Sequence, residues 1–365
     1  MKTCLVIQTA FLGDAVLATA LLEKLHAHHP DAAIDLVVRK GNEGLFGERG
    51  ESGEGGNPSG GGEGGIAHGH PFLRNLFVWD KRQGKTRALF KLIGTLRKQR
   101  YGHVINAQRF FSTGLMTALS GGKETFGYDK NPLSFLFSRK VKHLIPDPAE
   151  LRSHPVKSDA RIIHEVDRLN DLIAHLTDHN RPLPRLYPSV SDHKKVNGLI
   201  ERWTKDHRSY ITVAPASVWF SKQWPEAKWI ELVKAIPNEQ QVFIIGAPSD
   251  TDLAQRIIAA TGRGVDLTRE LKLLESAALM KSATMNYVND SAPLHIASAM
   301  NAPVTAVFCS TVPAFGFGPL RENGRAVGSN ELLDCRPCGL HGYKSCPKGH
   351  FKCALAIDSQ RVIGS

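Results

Sequence analysis

The residues Asn289-Asp290-Ser291-Ala292-Pro293-Leu294-His295 have the composition of a helix start that could bind phosphate. They follow an apolar run, residues 285–288, which indicates a strand. Asp290 or Ser291 can cap the helix that begins here, and a proline suits its first turn. Backbone N–H groups at such a start lack intrahelical acceptors and attract anions, phosphates above all. An ordinary capped helix explains the same residues, so the rest of the chain has to decide.

A second candidate is the loop of residues 215–225, which follows the first predicted strand of the second half of the chain. It carries Ser221 and Lys222 between two tryptophans. A lysine here could neutralise a pyrophosphate with its compact charge. A solvent-exposed loop lysine is the alternative, but the flanking tryptophans argue against a merely solvated loop.

Two carboxylates also follow predicted strands. Asp250 comes after a strand-end glycine, so it could bind ribose hydroxyls or only cap the next helix. Asp14 follows Gly13 at the start of a predicted helix. It is either the N-cap or a functional carboxylate at the carboxyl end of the first strand, where open α/β sheets place their sites. Arg109 and Lys123 lie on loops at the two ends of a further predicted helix, with Arg109 on the side of the site.

The elements that must position these side chains alternate between strand and helix in both halves of the chain. Apolar runs and helical spacing predict the strands 3–8, 34–39, 75–79, 103–106, 210–214, 241–245, 284–288 and 304–308. The predicted helices are 15–28, 85–100, 111–119, 161–176, 225–236, 250–260, 270–281 and 293–300. Alternating βα units give parallel sheets with helices on both faces. We therefore predict an α/β fold with two Rossmann-like domains that face each other across a cleft.

The predicted domain boundaries follow changes in composition. Residues 1–180 form an N-terminal, acceptor-side domain that carries a flexible glycine-rich insert, 47–69. Residues 181–189 are rich in proline and serve as the linker. Residues 190–334 form a C-terminal donor domain, and residues 335–365 form a Cys-rich segment.

The composition is that of a globular protein without membrane spans. Of the 365 residues 42% are hydrophobic and 22% are charged, and the N-terminus lacks the apolar length of a signal peptide. A cytoplasmic location is expected. The formal net charge of +11 favours an anionic partner. Basic residues concentrate between 74 and 100, where they form either a solvated helix face or a surface that contacts anionic lipid.

Several common site motifs are absent from the sequence. It contains no G-x-G-x-x-G after a strand and no G-x-x-x-x-G-K-[ST], which argues against a dinucleotide dehydrogenase and a P-loop NTPase. There is no G-x-S-x-G nucleophile elbow. No nucleic-acid-binding motif accompanies the basic charge, so nucleic acid is not an expected partner.

Three motifs together resemble glycosyltransferase family 9, the lipopolysaccharide heptosyltransferases. They are Phe11-Leu12-Gly13-Asp14, Trp219-Phe220-Ser221-Lys222-Gln223-Trp224-Pro225 and Asn289-Asp290-Ser291-Ala292-Pro293-Leu294-His295. Their order and spacing match over nearly the whole chain outside the glycine-rich insert. The Cys-rich segment is more similar to the heptosyltransferase II branch.

The resemblance implies a GT-B fold and inverting transfer of heptose from ADP-heptose to an inner-core sugar of lipopolysaccharide. That acceptor would be met at the cytoplasmic face of the inner membrane. By position, Asp14 would be the general base, Lys222 would hold the diphosphate and Asp290 would contact the donor sugar. The remaining donor-binding residues would be Ser221, Asp250, Ser291, Ala292 and His295, and the acceptor-binding residues would be Gly13, Arg109 and Lys123.

The chemistry of inverting transfer suits these residue types. A carboxylate takes the proton of the acceptor hydroxyl, and positive charge with N–H donors meets the leaving nucleoside diphosphate without a metal. The family often has Thr-Gly after the aspartate, where this chain has Ser291-Ala292. A family 9 transferase that uses another nucleotide sugar for a different surface glycan is therefore an alternative. A non-enzymatic, zinc-stabilised binding protein is another.

Four cysteines, Cys335, Cys338, Cys346 and Cys353, lie near the C-terminus. A C-x2-C opening suits zinc, but the later spacing lacks a second C-x2-C. Reduced structural thiols and a zinc site are both open. No cofactor is expected to be required for transfer.

Overall fold

The computed structural model describes residues 1–47, 69–82, 84–153, 162–204 and 209–364. Its strands are β1 Thr3–Gln8, β2 Ala33–Arg39, β3 Leu73–Trp79, β4 His103–Asn106, β5 Glu124–Tyr128, β6 Arg139–Val141, β7 Ser209–Ala214, β8 Gln240–Ile244, β9 Val265–Asp266, β10 Met285–Asn289, β11 Val304–Phe308 and β12 Gly324–Gly328. Its α-helices are α1 Leu12–His28, α2 Lys85–Lys98, α3 Phe111–Leu119, α4 Pro148–Ser153, α5 Glu165–Asp171, α6 Val190–Trp203, α7 Glu226–Ala235, α8 Thr251–Thr261, α9 Leu273–Ser282, α10 Ala292–Ala299, α11 Lys352–Leu355 and α12 Ser359–Ile363.

The chain folds into two compact units. The first comprises Met1–Leu144 and Glu165–Ser189, and the second comprises Ile145–His164 and Val190–Ser365. The division differs from the predicted boundaries in two places. The described part of Ile145–His164 belongs with the second unit, and the predicted linker 181–189 belongs with the first. The predicted Cys-rich segment is part of the second unit, and residues 48–68 of the predicted insert lie outside the described residues.

The first unit is built on a parallel sheet with the order β3-β2-β1-β4-β5-β6. Strands β1 and β2 are buried along almost their whole length, as expected for strands covered on both faces. Helix α2 packs an apolar stripe, Leu89, Leu92, Ile93 and Leu96, into the core beside Trp79. Arg87, Lys91, Arg97 and Lys98 of this helix are exposed, whereas Arg74 forms a bidentate ion pair with the fully buried Asp35.

The second unit repeats this architecture with the order β12-β11-β10-β7-β8-β9. Its core includes Trp224 and Trp229, whose rings meet edge to face at 5.1 Å. Ala354, Ile357 and Val362 of the Cys-rich segment are buried in the same core. The Cys-rich segment is therefore part of the hydrophobic core of the second unit.

The observed elements extend the predicted ones. Eight predicted strands are present, and four further strands, β5, β6, β9 and β12, complete the two sheets in the described residues. The predicted helix 161–176 is wrong in length, because regular helix is confined to Glu165–Asp171 and a series of turns follows. Among the described residues, no helix combines the length and apolar composition needed to cross a membrane.

Candidate functional site

Both sheets have a point at which the strand order reverses beside the first strand of the unit. In the first sheet β1 lies between β2 and β4, and in the second β7 lies between β8 and β10. Open parallel sheets bind their ligands outside the carboxyl ends of the strands at such a point. Asp14 and Arg109 follow β1 and β4, and Lys222 and Asp290 follow β7 and β10. The structure thus brings four of the predicted site residues to the two reversal points.

Asp14 lies in the first turn of α1 rather than at its cap. The helix begins at Leu12, and its N-cap is Phe11, which makes no side-chain cap bond. A carboxylate in this turn is favoured by the positive end of the helix dipole. Gly13, predicted to contact the acceptor, precedes Asp14 in the same turn.

The loop that leads into α1 is tied to the loop after β4. Gln8 Oε1 accepts hydrogen bonds from Ala10 N at 3.2 Å and from Gln108 Nε2. Asn42 Nδ2 donates to the Ala10 carbonyl at 3.1 Å. Because Gln108 precedes Arg109, these bonds fix the carboxylate loop and the arginine loop against each other.

Glu165, a buried carboxylate of the first unit, is not among the site residues predicted from the sequence. It is the first residue of α5, which packs against α1, and it accepts a hydrogen bond at 3.0 Å from the buried Arg168. Burial and, to a smaller extent, the Asp14 carboxylate raise the pKa of Glu165 to about 7, against the opposing charges of Arg168 and Arg109. The two carboxylates are therefore coupled, and ionisation of one disfavours ionisation of the other.

Lys123 lies at the opposite end of the strands of the first sheet from Asp14 and Arg109. It is exposed and precedes β5, so it stands at the amino end of a strand that runs parallel to β1 through β4. Asp14 follows the carboxyl end of β1. The structure therefore does not bring Lys123 together with Asp14 and Arg109.

In the second unit Asn289 organises the lysine loop. At the end of β10 its Nδ2 donates to the Pro215 carbonyl at 2.8 Å, and its Oδ1 accepts from Trp224 N at 2.9 Å. Pro215 and Trp224 stand near the two ends of the loop. One buried side chain thus closes the loop that carries Lys222.

Lys222 and Asp290 form an ion pair. The distance from Nζ to Oδ2 is 2.7 Å, and the side chains are 16% and 5% exposed. The hydroxyl of Thr311, which follows β11, donates to the same carboxylate oxygen at 2.6 Å. The segments that follow three adjacent strands, β7, β10 and β11, therefore place an ammonium, a carboxylate and a hydroxyl in contact.

Helix α10 begins beside this pair. Its N-cap is Ser291, which makes no side-chain cap bond, and a proline occupies its first turn. The first N–H groups of an α-helix have no intrahelical acceptor, so the positions of Ser291 and Ala292 suit an anion. This confirms the predicted helix start, with Ser291 at the cap.

His295 is buried in α10, and its Nδ1 has no hydrogen-bond partner among the described residues. Burial lowers its pKa to about 4; Asp290 opposes this shift, and Lys222 adds to it. The imidazole is therefore neutral near pH 7. Its ring lies 6.3 Å from that of Phe317.

Two other predicted donor residues bond to their own surroundings. Asp250 Oδ2 accepts from Ala247 N at 2.8 Å and so stabilises the loop after β8. Ser221 is buried, and its hydroxyl contacts Ser310 Oγ at 3.0 Å and accepts from Tyr343 N at 2.8 Å. Ser221 therefore fixes the backbone beside Lys222, whereas Asp250 stabilises its own loop.

The four cysteines of the Cys-rich segment are reduced in this structure. They lie near enough to affect one another's pKa. Burial and, to a smaller extent, the neighbouring Cys338 raise the pKa of Cys353 to about 12. Within the described ranges, no three His, Cys, Asp or Glu side chains are arranged to share one metal ion.

Comparison with known proteins fixes the family. The model of "Glycosyltransferase family 9 (heptosyltransferase)" matches residues 89–341, well over half of the chain. The chain belongs to glycosyltransferase family 9. It is therefore a glycosyltransferase, and the prediction of a non-enzymatic binding protein is set aside.

The family's members include similar proteins of the same size. Lipopolysaccharide heptosyltransferase 2 of Escherichia coli (strain K12) is 24% identical, over 98% of this chain and 96% of its own. The solved E. coli ADP-heptose lipopolysaccharide heptosyltransferase II superposes with a TM-score of 0.70 at 20% identity, covering 100% of this chain and 96% of its own. An E. coli heptosyltransferase solved with ADP-2-deoxy-2-fluoro heptose gives 0.64 at 18% identity, covering 92% and 96%. These likenesses confirm the predicted α/β fold of the GT-B class, built from two Rossmann-like units.

Proposed function

We propose that this family 9 enzyme transfers heptose from ADP-heptose to an inner-core sugar of lipopolysaccharide, with inversion at the anomeric carbon. The observation that carries the proposal is the pairing of Lys222 with Asp290 beside the N-terminus of α10. The names of the similar proteins, and the donor analogue bound to one of them, support the choice of substrates.

The second unit would bind the donor. The leaving group is ADP, so negative charge grows on the diphosphate as the glycosidic bond breaks. Lys222 supplies a positive charge, and the N–H groups of Ser291 and Ala292 supply hydrogen bonds to the phosphate oxygens. Asp290 orients Lys222 and contacts the sugar hydroxyls, and His295, being neutral, can donate or accept one hydrogen bond.

Asp14 would act as the general base in the first unit. It accepts the proton of the acceptor hydroxyl as that oxygen attacks the anomeric carbon. The Asp14 carboxylate lies close enough to Glu165 to help raise the pKa of Glu165, and Arg109 supplies a positive charge for an acidic acceptor.

This scheme requires no metal, because Lys222 and the helix start neutralise the leaving group. Zinc in the Cys-rich segment is a separate, structural proposal that rests on its four cysteines. Metal analysis of the purified protein tests it: one zinc per chain supports the site, and metal-free active protein contradicts it.

The first prediction concerns the base. Replacement of Asp14 by Asn keeps the shape of the side chain and removes its basicity, so kcat should fall by at least about 1,000-fold. The affinity for ADP-heptose should stay within about twofold, because the donor is bound by the second unit. Turnover assays with truncated core acceptors and calorimetry with ADP-heptose measure the two effects. Normal turnover by the Asn variant would refute the assignment.

One departure from the family pattern, Ser291-Ala292 in place of Thr-Gly, favours an alternative donor in place of ADP-heptose. Another nucleotide sugar would then be used for a different surface glycan. Calorimetry with ADP-heptose, UDP-sugars and GDP-sugars separates the two: tighter binding of a UDP- or GDP-sugar would select the alternative.

A further inference from the structure

The Cys-rich segment contacts the loop that carries Lys222. Ser221 N donates to the Tyr343 carbonyl at 3.1 Å, and Tyr343 N donates back to Ser221 Oγ at 2.8 Å. This reciprocal pair of bonds fixes the residue directly before Lys222. Phe220, on the same turn, packs against Phe351 of the segment with ring centres 4.9 Å apart.

Gly342 brings the two backbones close together. Its φ is +82°, and a Cβ at this position would lie 3.0 Å from Trp219 Cβ and 3.1 Å from Lys222 Cγ. Such distances are shorter than ordinary van der Waals contact. Only glycine both adopts this conformation readily and leaves room for the aliphatic stem of Lys222.

The same segment also holds the loop that carries Thr311. The guanidinium of Arg336 donates to three carbonyls between the end of β11 and Thr311, those of Cys309 at 2.7 Å, Phe308 at 3.0 Å and Thr311 at 3.1 Å, and to Ser329 O at 3.4 Å. Cys338 N donates to the Ser310 carbonyl at 3.0 Å. These bonds fix the backbone from the end of β11 to Thr311.

Both partners of Asp290 are therefore positioned by one segment. Lys222 is fixed through Ser221 and Gly342, and Thr311 is fixed through Arg336. None of the contacting residues of the segment is itself bonded to the Asp290 carboxylate among the described contacts.

We propose that the Cys-rich segment is a positioning element for donor binding, in which Gly342, Tyr343 and Arg336 hold Lys222 and Thr311 on Asp290 and so set the affinity for a nucleoside diphosphate. The inference rests on the proposed function of Lys222. These are positioning residues, because they act on the donor only through Lys222 and Thr311.

The test compares two glycines of the segment. Gly342 and Gly349 have similar left-handed conformations, with φ of +82° and +73°, but a Cβ at Gly349 would meet no atom within 4 Å. Replacement of either by Ala introduces similar backbone strain. Only Gly342→Ala should also displace Lys222.

The probe is ADP, with its affinity measured by calorimetry on the full chain. We expect Gly342→Ala to weaken ADP binding about tenfold and to raise the KM for ADP-heptose more than it lowers kcat. Gly349→Ala should bind ADP within twofold of the unchanged protein. Thermal unfolding of both variants shows whether they are folded at the temperature of the measurement.

The variant Lys222→Met distinguishes a failure of the positioning role from a failure of the proposed donor site. If Lys222→Met weakens ADP binding while Gly342→Ala does not, the positioning role is refuted and the donor site stands. If Lys222→Met binds ADP as tightly as the unchanged protein, the donor site and the positioning role are both refuted.

Arg336→Lys keeps the positive charge but cannot reach three carbonyls. It therefore tests how the segment positions Thr311. This test is independent of Gly342→Ala and remains available if that variant does not fold. Weaker ADP binding well below the melting temperature supports positioning. A lower melting temperature with unchanged ADP binding shows a merely structural role and contradicts the proposal.

Discussion

At the scale of single residues, each unit holds a carboxylate away from water near its candidate site residues. Asp290 is almost fully buried, and its charge is matched by Lys222 and by the hydroxyl of Thr311. Glu165 is buried with Arg168, and the Asp14 carboxylate is an unfavourable neighbour. Burial and a neighbouring like charge both make a carboxyl group bind its proton more tightly, as at Glu165.

Glu165 should therefore make stability depend on pH. Its pKa is about 7 in the folded chain, against an ordinary value of 4.5, because of burial and the Asp14 charge. Between these values the folded chain holds the proton more tightly than the unfolded chain does. The stabilisation is complete below pH 4.5 and is lost as pH rises through 7, by roughly 3 kcal/mol in the free energy of unfolding.

Urea unfolding of the unchanged protein and of Glu165→Gln, at several pH values from 4.5 to 8, measures this loss. The glutamine does not titrate, so the variant should gain stability relative to the unchanged protein as pH rises. Replacement of the exposed Glu201 by Gln is the control. A constant difference between the unchanged protein and Glu165→Gln across this range would contradict the coupling.

The sequence located some of these residues and missed others for physical reasons. Asp14, Lys222 and Asp290 lie in the segments that follow recognisable strands, and the carboxyl ends of adjacent parallel strands lie on the same side of a sheet. Glu165 lies inside a predicted helix and away from any strand end, and only packing of α5 on α1 brings it near Asp14. Lys123 lies at the other end of the strands from Arg109, because the whole of α3 separates the two residues.

At the scale of elements, Asn289 joins the end of β10 to the loop after β7. Its replacement by Ala leaves the Trp224 N–H and the Pro215 carbonyl without partners in a buried place. Each unpaired buried group costs about 1–3 kcal/mol, so we expect a loss of roughly 3 kcal/mol in the free energy of unfolding. Urea unfolding measures it.

The exposed Asn323, replaced by Ala, is the matched control and should change stability by less than about 0.5 kcal/mol. If Asn289→Ala were as stable as this control, the loop would not depend on the Asn289 side chain.

Long, strongly patterned elements were predictable, and short ones were not. The helix at Phe111–Leu119 has the predicted bounds. Strands β5, β6, β9 and β12 are partly exposed or only two to five residues long, so they lack a continuous apolar run. The predicted helix 161–176 has helical spacing throughout, but α5 ends at Asp171 and turns follow it.

At the scale of the whole molecule, the net charge of +11 has a local concentration around α2. Its exposed side carries Arg87, Lys91 and Lys98, together with Phe90, whose surface is 52% exposed. We propose that this surface contacts anionic lipid, where a lipid-linked acceptor would be found.

Replacement of Arg87, Lys91 and Lys98 by Glu should therefore reduce binding to vesicles that contain anionic lipid by at least about tenfold. Co-sedimentation at low and high salt measures it, and binding should weaken as salt rises. The control replaces three exposed lysines of the second unit, Lys194, Lys234 and Lys281, by Glu. Equal loss of binding in both triple variants would mean that net charge, rather than this surface, attracts the vesicle.

The bonds between Ser221 and Tyr343 also affect when the enzyme becomes active during its synthesis. Tyr343 lies 122 positions after Ser221, so the ribosome makes the lysine loop long before it makes the residue that fixes this loop. A nascent chain whose second sheet is already paired would still lack these bonds while the Cys-rich segment remains in the exit tunnel. Donor binding, as proposed, should therefore develop only after the Cys-rich segment has left the exit tunnel.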